Sequence, residues 1–371
     1  MIPGHPAENP QESAQRHMTI DHKGSQSVLW ACKAPANGGG DEILDRKLIA
    51  ELGPGHDVTR FNVATQSPLN QIRNMLRGMP HPQFKFTNPS IDRAFVETVD
   101  RHDRVVISHE TLEHLAHCVD RPLTLLIHNV AHDILQQLYG DRLIGRLAAR
   151  QSLRWERRTY ARETIRLVTL SRRDKALVEA LAPGRPVAVA YPGLPPLAPL
   201  QSGTIIPELV LSGSYDWYPK RRDLIALAND VAASRQTLDW RHDLTLPDHP
   251  GAAPITSRSR RIEPADYTQG IRFGLIPDRF LGGFKLKSTY LIANNCILLS
   301  RCDLRSEFDG LPHAARFVRY TPALSDILST MREFADYDQG ELHGRWIEFQ
   351  DACSRRFSWE NAAQAITATF A

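Results

Sequence analysis

No apolar run in the sequence approaches the roughly 18–20 residues needed to span a bilayer, so no membrane span is expected. Cysteine is scarce: five in 371 residues, at Cys32, Cys118, Cys296, Cys302 and Cys353. An odd, scattered set excludes a disulfide framework. Only Cys296 and Cys302 lie close together, at a spacing that fits no common zinc motif. Reduced thiols in a cytoplasmic protein are the expectation. An excess of one charge is also missing, since the net charge is only +3. Whole-molecule steering toward nucleic acid is therefore weak, and no nucleic-acid partner is expected. The first 25 residues lack the apolar core of a signal peptide and are rich in His, Gln, Pro and Glu. Residues 1–26 are read as a disordered tail. No internal repeat is visible.

What is present fits a globular protein, with 42% apolar and 23% charged residues. A chain of 371 residues is too long for one ordinary core and suggests two domains. Residues 27–34 read as a strand running into Ala36-Asn37-Gly38-Gly39-Gly40. Asp41 is placed to cap a helix with Ile43, Leu44, Leu48, Ile49 and Leu52 on one face. Gly53-Pro54-Gly55 ends it, and residues 57–64 form the next strand. This is the opening half of a doubly wound domain. A triple glycine without the full dinucleotide fingerprint is a weak ligand signal, and a flexible turn is the plain alternative.

Residues 104–108 and 123–127 are two buried strands. Between them, His109-Glu110-Thr111-Leu112-Glu113-His114 resembles a metal motif, but its histidines are five apart where one helical face needs four. A surface helix is expected there, with no metal. His128 and Asn129 directly follow the second strand. In an open α/β sheet, ligands sit at the carboxyl ends of strands, and an imidazole there can accept a proton from a hydroxyl. The alternative is a core histidine bonded to backbone.

A long helix is expected over 143–164. Arginines recur every four residues from Arg142 to Arg166, and residues 142–175 carry eleven Lys/Arg against three Asp/Glu, 11 − 3 = +8. Leu143, Ile144, Leu147, Ala148 and Trp155 flank this stripe. Such a helix either lies on an anionic membrane surface or packs its apolar side and leaves its charges in water. A strand at 167–170, a helix capped by Ser171 and a strand at 187–191 close the first domain. Four prolines in 192–199 make a stiff linker, read as 192–203.

The second domain, 204–354, restarts with a strand, a Ser212-Gly213-Ser214-Tyr215-Asp216-Trp217 turn and a helix opened by Pro219. Its central stretch runs from Ile271 to Ser300: a strand, Gly282-Gly283, Lys285 and Lys287, a helix and a second strand. Glycines let backbone approach a ligand closely. A loop feeding a helix N-terminus favours an anion, and two lysines in the same turn suit a diphosphate. An ordinary turn with surface lysines is the plain alternative. A final helix follows Phe357-Ser358-Trp359-Glu360, over 355–371.

The order and spacing of these motifs resemble the GT-B glycosyltransferases, mainly the bacterial family-four group, over residues 27–370. The carriers are the Gly-rich first loop, the strand-end His-Asn, Gly-Ser-x-Asp-Trp, Gly-Gly-x-Lys-Leu-Lys and Phe-Ser-Trp-Glu. The resemblance implies an α/β fold of two Rossmann-like domains facing across a cleft, with the last helix crossing back to the first domain. It implies sugar transfer from a UDP- or GDP-linked donor to a glycan, lipid-linked or cell-surface acceptor, with no metal and no resident cofactor. It puts Gly38, Gly39 and Gly40 beside the acceptor, and His128 and Asn129 beside the anomeric centre. Gly213, Lys220, Gly282, Gly283, Lys285, Lys287 and Tyr290 fall around the donor. The family usually carries glutamates at the positions of Gly282 and Tyr290, the second touching the donor ribose; here neither is acidic. A cytoplasmic protein, peripheral on the inner face of a membrane, is the implied location. A non-catalytic binding relative and a nucleotide-sugar epimerase remain as alternatives.

Overall fold

The computed structural model describes residues 25–35, 40–234, 236–243 and 249–370. Gly38, Gly39 and nearly all of the expected tail lie outside that range. Gln26, placed in the expected tail, belongs to the first strand instead.

Six parallel strands form the first sheet: β1 (Gln26–Lys33), β2 (His56–Val63), β3 (Arg104–Ser108), β4 (Leu123–Ile127), β5 (Ile165–Thr169) and β6 (Val187–Val189). Their order is β2-β1-β3-β4-β5-β6. Around it stand α1 (Gly40–Leu52), α2 (Pro68–Leu76), α3 (Pro89–Val99), α4 (Ala131–Tyr139), α5 (Leu143–Tyr160) and α6 (Arg172–Leu181). Helices on both faces explain why β4 is buried at every residue and apolar at all but Thr124. Ser67, Asn88 and Ser171 cap α2, α3 and α6 through their side-chain oxygens. α5 stops at Tyr160, short of the expected 164, because the Thr164 carbonyl already accepts the Leu123 N–H that opens β4, at 3.0 Å.

The second sheet is also parallel: β7 (Ile205–Leu211), β8 (Asp239–His242), β9 (Ser259–Arg261), β10 (Ile271–Ile276), β11 (Cys296–Ser300) and β12 (Val318–Tyr320). Its order is β12-β11-β10-β7-β8-β9. The helices are α7 (Tyr218–Ser234), α8 (Ala253–Thr256), α9 (Leu286–Ala293), α10 (Arg305–Phe308), α11 (Ala314–Phe317), α12 (Leu324–Ala335), α13 (Gln339–Arg356) and α14 (Trp359–Thr367). Each domain has its own core. α14 belongs to neither domain by sequence order alone. Ala362, Ala363 and Ile366 bury in the first domain's core beside Trp30, Leu44 and Leu48, so the last helix crosses back. Gly193 makes the crossing possible, since a Cβ there would lie 2.4 Å from Trp359 Cδ1.

In each sheet the strand order reverses once, between β1 and β3 and between β7 and β10. Ligand sites of open α/β sheets form at the carboxyl ends of such a pair.

Candidate active site in the interdomain cleft

On the first domain, the ends of β1, β3 and β4 deliver Lys33, Ser108, His109 and His128 to one place. The first turn of α1 adds Asp41. It does not act as the expected cap: its carboxylate turns to an ion pair with Lys33, to His109 Nε2 at 3.2 Å and to His128 Nδ1 at 3.6 Å. Asp41 keeps 44% of its side chain exposed, whereas His128 keeps 3%.

Behind His128, Ser108 Oγ donates to Asp45 Oδ1 at 2.5 Å, and Trp30 Nε1 donates to the same oxygen at 2.9 Å. With its proton committed to Asp45, Ser108 Oγ accepts from His128 Nε2 at 2.9 Å. Nδ1 then faces the Asp41 carboxylate, which favours a second ring proton. Burial opposes the charged ring, but Asp41 and Asp45 outweigh it and raise the His128 pKa. Burial likewise pushes Asp41 up, yet His109, His128 and Lys33 hold its carboxyl well below the usual range. His109 goes the other way: burial, aided by Lys33, lowers its pKa. Its backbone sits at φ 100°, a left-handed conformation pinned by its N–H bond to Leu126 O at 2.9 Å.

Asp41, His109 and His128 offer three ligand atoms within 4.8 Å of one another. A cation could bridge such a set, but the Lys33 ammonium bonds both Asp41 and His109 Nε2, the latter at 3.0 Å. An ammonium therefore stands where a metal would sit. The expected surface helix at 109–117 is a correction as well. Residues 110–117 form a 3-10 segment buried from Glu110 to Ala116. Its polar groups are paired at a distance in sequence: Gln83 and Tyr160 donate to Glu113, and Asn129 donates to Glu110 from both its N–H and Nδ2 at 3.2 Å.

On the second domain, Asp278 follows β10 and is completely buried. Lys285 Nζ and Lys287 Nζ bond its two oxygens at 3.2 and 2.9 Å. Burial works against the ionised form, but Lys287, Lys285 and Lys220 keep Asp278 far below the usual carboxylate range. Lys220 feels that crowding in turn: burial, then Lys287, lowers its pKa to about 8. Lys287 also lies against the Gly213 turn, at φ 87°, where a Cβ would be 3.6 Å from its Cδ.

The two halves meet. Gly283, at φ 61°, leaves no room for a side chain: a Cβ would lie 2.2 Å from His128 O and 2.6 Å from Asn129 Oδ1. Gly282 backs onto Ile134 in the same way. Gly40 faces Leu286, so the N-terminal ends of α1 and α9 oppose each other across the cleft. The Glu307 carboxylate caps α6 from the other domain, accepting the Arg172 and Arg173 N–H groups at 2.9 and 3.1 Å. Of the expected site residues, His128, Asn129, Gly40, Gly213, Lys220, Gly282, Gly283, Lys285 and Lys287 thus converge here. Tyr290 turns instead toward Asp243 and Tyr267. Lys33, Asp41, His109 and Asp278 join the cluster without having been expected there. Three of the four lie at or just past a strand's carboxyl end, so the rule that singles out His128, applied to every strand, finds them.

Fold and cleft together define the GT-B class of two-domain α/β proteins. No protein-family model and no curated protein sequence matches the chain. Solved structures do share its fold. HepE from Anabaena, determined with UDP-glucose, superposes with a TM-score of 0.60 at 12% identity, over 93% of this chain and 99% of that one. A glycosyltransferase from Rickettsia africae gives 0.58 at 9%, over 94% and 98%. Sucrose-phosphate synthase from Thermosynechococcus elongatus gives 0.55 at 12%, over 93% and 95%. At these identities the likeness is one of fold.

Proposed function

We propose that the chain transfers a glycosyl group from a UDP- or GDP-linked sugar to a hydroxyl of a glycan or lipid-linked acceptor. One observation carries the reading: a lysine cluster faces a carboxylate–imidazole pair across a glycine contact between domains. Lys220, Lys285 and Lys287 against Asp278 give 3 − 1 = +2, a match for a diphosphate. In the step, the acceptor oxygen bonds the anomeric carbon as the bond to the diphosphate oxygen breaks. The lysines and the α9 amides stabilise the charge growing on the leaving diphosphate, and such preorganised stabilisation contributes most of the rate in sites of this kind. The acceptor proton passes to His128 Nδ1 in the singly protonated ring, whose one proton sits on Nε2, and the exposed Asp41 carboxylate aligns the hydroxyl and stabilises the imidazolium that forms. Closure at Gly282-Gly283 excludes water and suppresses hydrolysis.

The acceptor domain also carries a surface suited to an anionic membrane. Among the described residues no helix is long and apolar enough to cross one. Instead α2 and the start of α5 expose leucines and isoleucines among arginines. A lipid-linked acceptor would be met at that surface.

The test is a panel of UDP, GDP and their sugars by calorimetry and turnover. Lys287→Ala is expected to weaken nucleoside-diphosphate binding while leaving nucleoside binding unchanged. His128→Ala is expected to cut turnover by about 100- to 10,000-fold with donor affinity retained. Equal loss of nucleoside and nucleoside diphosphate in the first variant, or full turnover in the second, refutes the assignment.

A further inference from the structure

We propose that Gln137, aimed by Asp133, is a positioning residue for transfer: its amide pairs with the Leu281 peptide across the cleft and sets where the lysine-bearing loop stands against His128. This rests on the transfer reading above and adds which side chains hold the two halves of the site in register.

Leu281 lies on the loop between Asp278 and the two lysines that bond it. Its N–H donates to Gln137 Oε1 at 3.0 Å, and its carbonyl accepts from Gln137 Nε2 at 2.8 Å. Gln137 therefore pairs with Leu281 as the opposite residue of a neighbouring antiparallel strand would. A primary amide carries both the donor and the acceptor that this pairing needs. The second Nε2 hydrogen goes to Asp133 Oδ2 at 2.6 Å, one turn earlier on α4. The same carboxylate oxygen accepts from Arg173 Nη2 at 2.6 Å, and Arg173 Nη1 donates to Leu281 O at 3.1 Å. Asp133 thus points two donors of the first domain at one carbonyl of the second.

Both ends of the clasp are anchored. The Leu281 side chain buries in the core of the second domain, so its peptide moves only with the loop. Arg173 stands in the first turn of α6, where Glu307 accepts its N–H. The next residues, Gly282 and Gly283, touch Ile134, His128 and Asn129. Contact at a glycine limits how near the domains come but has no direction, whereas paired hydrogen bonds fix orientation as well. Gln137 is itself exposed, so water competes for its bonds and the clasp can release for substrate entry and product exit. A loop out of register misaligns the anomeric carbon and admits water as the competing acceptor.

Hydrogen exchange at the Leu281 amide reads the clasp without any substrate. Gln137→Ala is expected to speed that exchange by about 5- to 20-fold. Asp133→Ala, which keeps the amide but removes its aiming acceptor, should give a smaller increase. Gln136→Ala, the adjacent exposed amide on the same helix, should give none. Turnover is then followed with the UDP- and GDP-sugars of the panel, counting transferred sugar against free sugar. Gln137→Ala should lower kcat for transfer by about 10- to 100-fold and raise the share of free sugar, with UDP affinity within about threefold of wild type. Leu281 exchange unchanged in Gln137→Ala overturns the proposal. So does faster exchange with transfer and product ratio both unchanged, since the pairing would then hold the loop without positioning the reaction. Failure of every nucleotide sugar to react in the wild type overturns the transfer reading instead, and the exchange rates alone then decide whether Gln137 holds the loop.

Discussion

Lys220 is the cation of the cleft whose charge changes closest to neutral pH. Burial and the neighbouring Lys287 bring its pKa to about 8. A bound diphosphate opposes both effects and raises the pKa again. The sign follows: below pH 8 the ammonium is already formed and UDP affinity is level. Above pH 8 binding must take up a proton, so affinity falls, by at most about tenfold per pH unit. Lys220→Arg, charged throughout, should flatten the profile between pH 7.5 and 9.5 and retain affinity. A wild-type profile already flat there would place the titration elsewhere. At this scale the sequence was partly legible. Lys285 and Lys287 stood out because they share a turn with glycines. Lys33, Asp41 and His109 did not, because they meet only when β1, β3 and α1 are assembled. Position 290 shows the same limit: its tyrosine meets Asp243 and Tyr267, neighbours that no local pattern announces.

The elements that meet at the cleft are held by backbone contact, and Gly283 is the sharpest instance. Its φ of 61° strains any side chain, and a Cβ there would lie 2.2 Å from His128 O. The obstacle is backbone from the other domain, so it cannot swing aside. Gly283→Ala should therefore separate the tip of β4 from the loop before α9. A displacement of about 1 Å costs on the order of 100-fold in turnover, whereas UDP affinity should change less than about threefold, because the lysines all sit on one domain. A variant with normal turnover would show that the contact does not position the chemistry. Element ends were readable where local signals agreed. β3, β4 and β11 matched their apolar runs, and Ser171 matched its cap. The 109–117 segment was misread because its surface-like composition is offset by tertiary partners. Gln83 and Tyr160 satisfy Glu113 from 30 and 47 residues away. No local pattern carries that information.

On the whole molecule, the first domain turns an apolar, basic face outward. α2 is inverted relative to an ordinary surface helix: only Asn74 is buried, donating to Phe84 O and Thr87 O, while Leu69, Ile72 and Leu76 face out. α5 holds the chain that follows α2, through Gln151 to Gly78 O and Ser152 to His81 O. Its first turns add exposed Leu143, Ile144 and Leu147. Leu76 is 79% and Ile144 81% exposed, and clustered exposure of this kind marks a contact surface. Arg73 on α2, Arg77 just past its end, and Arg142, Arg146 and Arg150 by α5 are exposed, with no acidic residue from 68 to 79 or 142 to 155. Each basic side chain near an anionic bilayer adds about 1 kcal/mol, and the aliphatic tips add an attraction that salt does not screen. The protein should co-sediment with vesicles containing anionic lipid, and far less with neutral ones. Arg146→Glu with Arg150→Glu should lose the salt-dependent part. Leu76→Asp with Ile144→Asp should lose what remains at about 0.5 M salt. Turnover of a short soluble acceptor should stay unchanged in both double variants, since none of the four residues lines the cleft. Binding indifferent to lipid charge and salt, or untouched by both pairs of substitutions, would mean that this face serves something other than a membrane.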